Sequence, residues 1–136
     1  MKRTVQKIIT FFVVVLGICC INKIDAKAFT TGDITYINGQ RYLYSNGQKV
    51  INDFVFDGVY TYYAQADGTP MTNRLTYHPD GVHIIYFDKN GHEVFNAFQY
   101  CSSVGYNCYF DSQGYLYKDQ ITYIDGNPYY LNANGA

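Results

Sequence analysis

The sequence contains no tryptophan, only three prolines and little charge, since Asp, Glu, Lys and Arg make up 15% of its 136 residues. It has no basic patch, which removes the electrostatic route to nucleic acid or to an anionic membrane surface. It also lacks a nucleophile elbow, a phosphate-binding loop and a Cys–His signature, so we expect neither an enzyme nor a cofactor. Its length allows one domain and implies no second one.

The first 28 residues have the pattern of a secretory signal peptide. Three basic residues precede an apolar run at 8–21, and Ala26-Lys27-Ala28 supplies a small-x-small cleavage pattern. The run of about 14 residues is shorter than the roughly 20 that a stable membrane anchor needs. We therefore expect cleavage before Phe29 and a secreted, cell-surface chain of residues 29–136, which has net charge −5 and no membrane contact.

What the sequence has in abundance is tyrosine, with 16 residues, and glycine, with 12. Five period glycines divide residues 29–136 into repeats of 21 to 23 residues: Gly47, Gly68, Gly91, Gly114 and Gly135. Five tip glycines alternate with them along the chain: Gly39, Gly58, Gly81, Gly105 and Gly126. Most of these glycines follow Asn or Asp, a pair that supplies the positive φ angles of tight hairpin turns. Two turns in each period predict two strands in each repeat.

Aromatic side chains recur at fixed distances from the period glycines. The tyrosine column stands five residues before them: Tyr42, Tyr63, Tyr86, Tyr109 and Tyr130. A second column stands nine residues after them: Phe56, Tyr77, Tyr100 and Tyr123. Two residues earlier on the same strand face lie Phe54, Leu75, Phe98 and Ile121. A polar column five residues after the period glycines predicts a bend between hairpins: Asn52, Asn73, Asn96 and Asp119.

A lone hairpin is marginal in water, but stacking each hairpin on the next buries its aromatic face. We therefore predict an all-β fold without helices, a β-hairpin solenoid of about five repeats of 21–23 residues that occupies residues 29–136 after the signal peptide, with the last repeat incomplete.

Three segments carry a family resemblance: Tyr86-Phe87-Asp88-Lys89-Asn90-Gly91, Tyr109-Phe110-Asp111-Ser112-Gln113-Gly114 and 129–136. They resemble the aromatic-rich cell-wall-binding repeats of Gram-positive bacteria, found in choline-binding proteins, glucan-binding proteins and large clostridial toxins. The resemblance covers residues 29–136 and implies a β-hairpin solenoid with ligand sites between consecutive repeats. In choline-binding members these cages are largely tryptophan. Their positions here hold residues such as Thr61 and Asp53, which favours a glycan over choline.

We nominate five tyrosines as ligand contacts: Tyr77, Tyr86, Tyr100, Tyr109 and Tyr123. Sugar rings present apolar C–H faces that lie against aromatic rings. The tyrosine column is also what the solenoid needs as a core between repeats, and we favour that role for it. The column at Phe56, Tyr77, Tyr100 and Tyr123 is the better candidate for a surface site.

Cys101 and Cys108 are the only cysteines after residue 28, and they flank a turn in an exported chain. We predict a cross-strand disulfide worth about 2–3 kcal/mol, the alternative being a redox or metal role. His78, His83 and His92 match no strong zinc spacing, so no metal site is predicted. Nearly all the acids occupy turn positions, where Asp is favoured for backbone reasons, so no catalytic carboxylate pair is predicted.

Two hypotheses follow for function. The first is a secreted, non-catalytic module that binds a cell-wall polymer or glucan-type polysaccharide through several weak aromatic sites. The alternative is a structural or adhesive spacer, or the N-terminal targeting fragment of a larger cell-wall hydrolase or toxin.

Overall fold

A computed structural model describes residues 29–136. The strands are β1 (Asp33–Ile37), β2 (Gln40–Ser45), β3 (Gln48–Lys49), β4 (Asp53–Phe56), β5 (Thr61–Ala64), β6 (Arg74–Tyr77), β7 (Ile84–Phe87), β8 (Ala97–Cys101), β9 (Tyr106–Phe110), β10 (Gln120–Ile124) and β11 (Asn127–Leu131). Within these residues there is no helix, and none therefore that could cross a membrane. The all-β prediction is confirmed, whereas the predicted signal peptide lies outside the described residues.

Consecutive strands pair antiparallel into five small sheets. Hairpin 1 is β1–β2 with β3 added at its edge, and hairpins 2 to 5 are β4–β5, β6–β7, β8–β9 and β10–β11. The register is the same in hairpins 2 to 5, so that Phe54 faces Tyr63 in hairpin 2 and Phe98 faces Tyr109 in hairpin 4. In hairpin 1, Tyr42 faces Thr35 instead. The prediction of two strands in each repeat is confirmed.

Side-chain oxygens of aspartate hold the turns that join the strands. At the tip of hairpin 2, Asp57 Oδ1 accepts hydrogen bonds from the N–H groups of Val59 and Tyr60, at 2.8 and 2.7 Å. Asp80 does the same at the tip of hairpin 3. These contacts satisfy turn N–H groups that have no strand partner. The acids at these positions therefore serve the backbone, as the sequence predicts.

The polar column forms the bends between hairpins. Its four residues have positive φ angles: Asn52 (51°), Asn73 (47°), Asn96 (50°) and Asp119 (56°). Asn and Asp tolerate this region better than other residues with a side chain. The N–H of Asn73 donates to the carbonyl of Asp88 at 2.9 Å, and that of Asn96 donates to Asp111 at 3.0 Å. Each bend is thereby tied to the far end of the hairpin that follows it.

The most uniformly buried column lies one residue after the tyrosine column. It consists of Leu43, Ala64, Phe87, Phe110 and Leu131, of which none is more than 3% exposed. The tyrosine column, for which we favour a core role, is mixed: Tyr86 is 3% exposed, Tyr130 is 65% exposed, and the others are half-buried. Strand alternation explains the difference, because neighbouring residues point to opposite faces of each hairpin.

Backbone hydrogen bonds connect one repeat to the next. The N–H of Glu93 donates to the carbonyl of Thr61 at 2.8 Å, and the N–H of Leu116 donates to Ile84 at 2.9 Å. Both donors stand two residues after a period glycine. Pro70 occupies this position in the preceding repeat and has no N–H to donate. Hairpin 1 is linked to the second repeat by a different hydrogen bond, which the N–H of Leu43 donates to the carbonyl of Gly68 at 2.9 Å.

The period glycines have a second role besides forming turns, because several of them are closely packed. A Cβ added to Gly114 would lie 2.6 Å from Oε2 of Glu93, and one added to Gly135 would lie 3.0 Å from Leu116. By contrast, a Cβ added to the tip glycine Gly105 would meet nothing within 4 Å. The period glycines after Gly47 therefore leave room for a side chain of the preceding repeat, whereas Gly47 and the tip glycines serve only the turn.

Candidate functional site

Four exposed tyrosines occupy equivalent places near the hairpin tips, and we name them the outer tyrosine ridge: Tyr36, Tyr77, Tyr100 and Tyr123. Their exposed fractions run from 54% for Tyr100 to 72% for Tyr123. Each lies next to the last residue of the first strand of its hairpin or is that residue. At the tip, a residue has fewer neighbours from the adjacent hairpin, so the ring keeps its faces open to solvent.

The hydroxyl groups of the ridge tyrosines make no hydrogen bond with any residue in 29–136. Across each hairpin, the ridge tyrosines pair with Arg41, Ile84, Asn107 and Pro128 in turn. An exposed ring with a free hydroxyl can offer both an apolar face and a polar group to a ligand. Of the five nominated tyrosines, Tyr77, Tyr100 and Tyr123 belong to this ridge.

The other two nominated tyrosines lie elsewhere. Tyr86 faces Leu75 across hairpin 3, and its ring lies 6.1 Å from that of Phe110 in hairpin 4. Tyr109 faces Phe98 in an edge-on pair at 5.0 Å and lies 5.2 Å from Tyr117. Tyr86 is buried and Tyr109 is half-buried. The structure therefore groups the five residues into three surface rings and two packed ones.

Two stacked histidine–tyrosine pairs join repeats, and the repeat pattern of the sequence does not predict them. Tyr60 stacks on His92 at 3.5 Å with an interplanar angle of 4°, and His83 stacks on Tyr115 at 3.7 Å with an angle of 8°. In both pairs, one ring stands eight residues before a period glycine and the other stands one residue after the next. That spacing is present in the sequence, but the residue type at each position differs between repeats, so no single recurring residue marks it.

The two histidines carry neighbouring carboxylates. His83 Nδ1 lies 2.7 Å from Asp80 Oδ2, and His92 Nδ1 lies 3.8 Å from Asp88 Oδ2. The side-chain hydrogen bond with His83, together with the N–H groups of His83 and Val82, lowers the pKa of Asp80. Within 29–136 no cluster of three or more His, Cys, Asp or Glu side chains could hold a metal ion.

Cys101 and Cys108 are both free and buried. Cys101 faces Tyr106 and Cys108 faces Gln99, so the cysteines are diagonal neighbours across β8 and β9. Burial, with a smaller contribution from Cys108, raises the pKa of the Cys101 thiol to about 12. At neutral pH the reactive thiolate is therefore scarce. The predicted disulfide is absent from the described residues and stays a prediction for the oxidised chain.

Parts of several solved structures are similar to this fold. The truncated alternansucrase from Leuconostoc mesenteroides NRRL B-1355 is 26% identical with a TM-score of 0.66, over 77% of this chain and 10% of its own. Alternansucrase in complex with isomaltononaose is 27% identical with a TM-score of 0.64, over 76% and 9%. The modular autolysin LytC from Streptococcus pneumoniae, also solved with a synthetic peptidoglycan ligand, is 20% identical with a TM-score of 0.60, over 75% and 22%.

These likenesses show that the chain shares the β-hairpin fold of parts of these structures. They confirm the resemblance to the repeats of cell-wall-binding and glucan-binding proteins. The chain corresponds to between 9% and 22% of the length of these solved structures. No protein-family model matches the chain, and no curated protein matches it.

Proposed function

We propose that this chain is a non-catalytic carbohydrate-binding module, which holds a secreted protein on a cell-wall polymer or a glucan-type polysaccharide. The observation that carries the proposal is the outer tyrosine ridge, whose rings are more than half exposed at equivalent places in four of the five hairpins. A soluble chain usually covers large aromatic rings, so a repeated series of exposed rings indicates a binding surface.

The ligand class follows from the chemistry of the ridge and from the similar structures. Tyrosine rings stack on the C–H faces of sugars, and their hydroxyl groups hydrogen-bond sugar hydroxyls. Alternansucrase has been solved with isomaltononaose, and LytC with a synthetic peptidoglycan ligand. Both ligands contain repeating sugars, which suits a protein whose rings also repeat.

We further propose that the hairpins stack into a solenoid. The hydrogen bonds from Glu93 to Thr61 and from Leu116 to Ile84 support this arrangement, because each joins a repeat to the one before it. The two stacked histidine–tyrosine pairs add a side-chain contact at the same step. A regular step between hairpins would present the ridge tyrosines at regular intervals along a polymer.

Regular spacing would let several weak contacts act together. When one ring is bound, the next meets its sugar at a high effective concentration, so apparent affinity exceeds that of any single site. Secretion and cell-surface location are part of the proposal, and they rest on the signal pattern of residues 1–28 and on the similar structures.

The test is retention of the purified protein on whole Gram-positive cell walls, on peptidoglycan stripped of its attached polymers, and on insoluble glucans, with choline as competitor. We expect retention on at least one polymer, resistance to choline, and weaker retention of Tyr100→Ala and Tyr123→Ala. Thr122→Ala, which changes the half-buried neighbour of Tyr123, is the matched control. Failure of the folded protein to bind any polymer would favour the spacer hypothesis instead.

A further inference from the structure

The chain contains four Asn-Gly pairs, and the fold places them in turns of two kinds. Asn38-Gly39 and Asn46-Gly47 form the two-residue loops of hairpin 1, between β1 and β2 and between β2 and β3. Asn90-Gly91 and Asn134-Gly135 lie in the longer turns that follow β7 and β11. All four asparagines are exposed. The same pair of residues therefore occurs in two structural settings, which can be compared directly.

An Asn-Gly pair can lose ammonia in water without an enzyme. The backbone nitrogen of the glycine gives up its proton and attacks the side-chain carbonyl carbon of the asparagine, the amide C–N bond breaks, and ammonia leaves. Water then opens the succinimide ring at one of its two carbonyl groups, which gives aspartate or isoaspartate. Glycine has no Cβ to hinder the attack. The reaction therefore depends on a glycine nitrogen that can turn towards the side chain.

In the two longer turns the glycine nitrogen is held in place. The N–H of Gly91 donates to the carbonyl of Asp88 at 3.0 Å. Asp88 Oδ1 also accepts hydrogen bonds from the N–H groups of Asn90 and His92, at 2.8 and 2.9 Å. Asn132 makes the same three contacts in the turn after β11. The glycine of each turn is buried, so attack requires the whole turn to open.

In hairpin 1 the glycine nitrogens are free. Within residues 29–136, the N–H groups of Gly39 and Gly47 have no hydrogen-bond acceptor, and the side chains of Asn38 and Asn46 make no hydrogen bond. A Cβ added to either glycine would meet nothing within 4 Å, so the space around the nitrogen is open. The cross-strand hydrogen bonds of a two-residue loop belong to the flanking strand residues. The peptide group inside the loop can therefore rotate while the strands stay paired.

We propose that Asn38 and Asn46 are the residues at which this chain deamidates while it is folded. Asn90 and Asn134 are protected by the turns that hold them. Opening one of those turns breaks three hydrogen bonds, so deamidation there should be slower by at least about tenfold. The modification needs no partner other than water, and it converts a neutral side chain into a carboxylate.

The isoaspartate product adds a methylene group to the main chain inside the loop. Ile37 and Gln40 pair directly across the loop at Asn38, and loop length fixes the register of a hairpin. Tyr36 of the ridge pairs with Arg41 one step further along. We therefore expect ageing to loosen hairpin 1 with its ridge tyrosine and to leave hairpins 2 to 5 in place. These changes do not depend on whether the ridge binds carbohydrate.

The experiment is incubation of the purified folded protein at pH 8, followed by peptide mapping with mass spectrometry that separates aspartate from isoaspartate. We expect Asn38 and Asn46 to react at least about tenfold faster than the two protected residues. The same incubation in urea removes the fold and should bring the four rates together. Equal rates in the folded protein would overturn the proposal. So would unreactive Asn38 and Asn46 in folded protein over a period in which the unfolded chain reacts.

A variant tests the cause of the protection. Asp88→Ala removes the side-chain acceptor that holds the turn around Asn90. Deamidation at Asn90 should become several-fold faster, since two hydrogen bonds are lost, while the rate at Asn38 stays the same. Thermal melting checks that the variant is folded at the incubation temperature. An unchanged rate at Asn90 in the folded variant would contradict the role given to these contacts.

Hydrogen exchange tests the consequence of the added methylene group. Aged protein should lose protection of the backbone amides in β1, β2 and β3 and keep it in the other hairpins. The matched control is freshly prepared Asn38→Asp/Asn46→Asp, which has the new charges without the methylene group and should keep its protection. Asp125-Gly126 is the natural precedent for aspartate in a two-residue loop. Equal protection of β1 to β3 in aged and fresh protein would overturn the predicted loosening.

Discussion

Hairpin 3 carries two tyrosines that recur along the chain with equal regularity and have opposite environments. Tyr86 is 3% exposed and Tyr77 is 63% exposed. Tyr86 lies in the middle of the second strand and packs near Phe110 of the next hairpin, whereas Tyr77 ends the first strand beside the tip. Regular recurrence therefore identifies a repeat but does not distinguish a core residue from a surface residue.

The largest difference is expected from truncating each of these two rings. Tyr86→Ala should lower the free energy of unfolding by about 3–5 kcal/mol, because it leaves a cavity between hairpins 3 and 4. Tyr77→Ala should cost less than about 1 kcal/mol, since it removes mainly exposed surface. Urea unfolding of both variants measures the two values. Equal losses would contradict the assignment of one ring to the core and the other to the ridge.

The period glycines and the tip glycines allow a similar comparison of a packed position with an exposed one. Gly114 and Gly105 have nearly equal φ angles, 83° and 82°, so alanine strains both by about 1–2 kcal/mol. At Gly114 the new Cβ also approaches Glu93 and Phe95, which should add about 1–3 kcal/mol. Gly114→Ala is therefore expected to destabilise more than Gly105→Ala in thermal melts. Equal melting temperatures of the two variants would show that close packing does not require glycine at position 114.

A pH-dependent effect on stability is expected at Glu93, which occupies the position that Leu116 has in the next repeat. The folded-state pKa of Glu93, about 8, lies above the ordinary value of 4.5, so the folded chain binds its proton more tightly than the unfolded chain. Its contribution to stability is complete below pH 4.5 and is lost as pH rises through 8. Glu93→Gln should therefore lose less stability than the parent between pH 5 and pH 9, as followed by urea unfolding. An unchanged pH profile would mean that Glu93 is well solvated.

Much of the fold could be predicted because hairpin turns depend on local chemistry. The Asn-Gly and Asp-Gly pairs and the polar column at Asn73 and Asn96 correspond to observed turns and bends. The core was harder to locate, because the recurrent tyrosines suggest a core column, whereas the buried column contains Leu, Ala and Phe. Its common property is an apolar side chain and not a residue type.

The candidate site could be predicted only in part. Exposure of Tyr77, Tyr100 and Tyr123 follows from their place near a tip, which the spacing of their column from the glycines indicates. The stacked pairs of Tyr60 with His92 and of His83 with Tyr115 depend on contacts between repeats that are far apart in sequence. Such contacts require the relative placement of hairpins, which the hydrophobic pattern of each hairpin does not determine.

The most direct test of the carbohydrate-binding ridge is stepwise removal of its rings. Affinity for the retaining polymer should be measured for the parent, for Tyr100→Ser, for the double variant with Tyr123→Ser, and for the triple variant that adds Tyr77→Ser. If the rings act together, each step should lower the apparent affinity, by about tenfold or more for the triple variant, while the melting temperature changes little. An unchanged affinity in a folded triple variant would contradict the account.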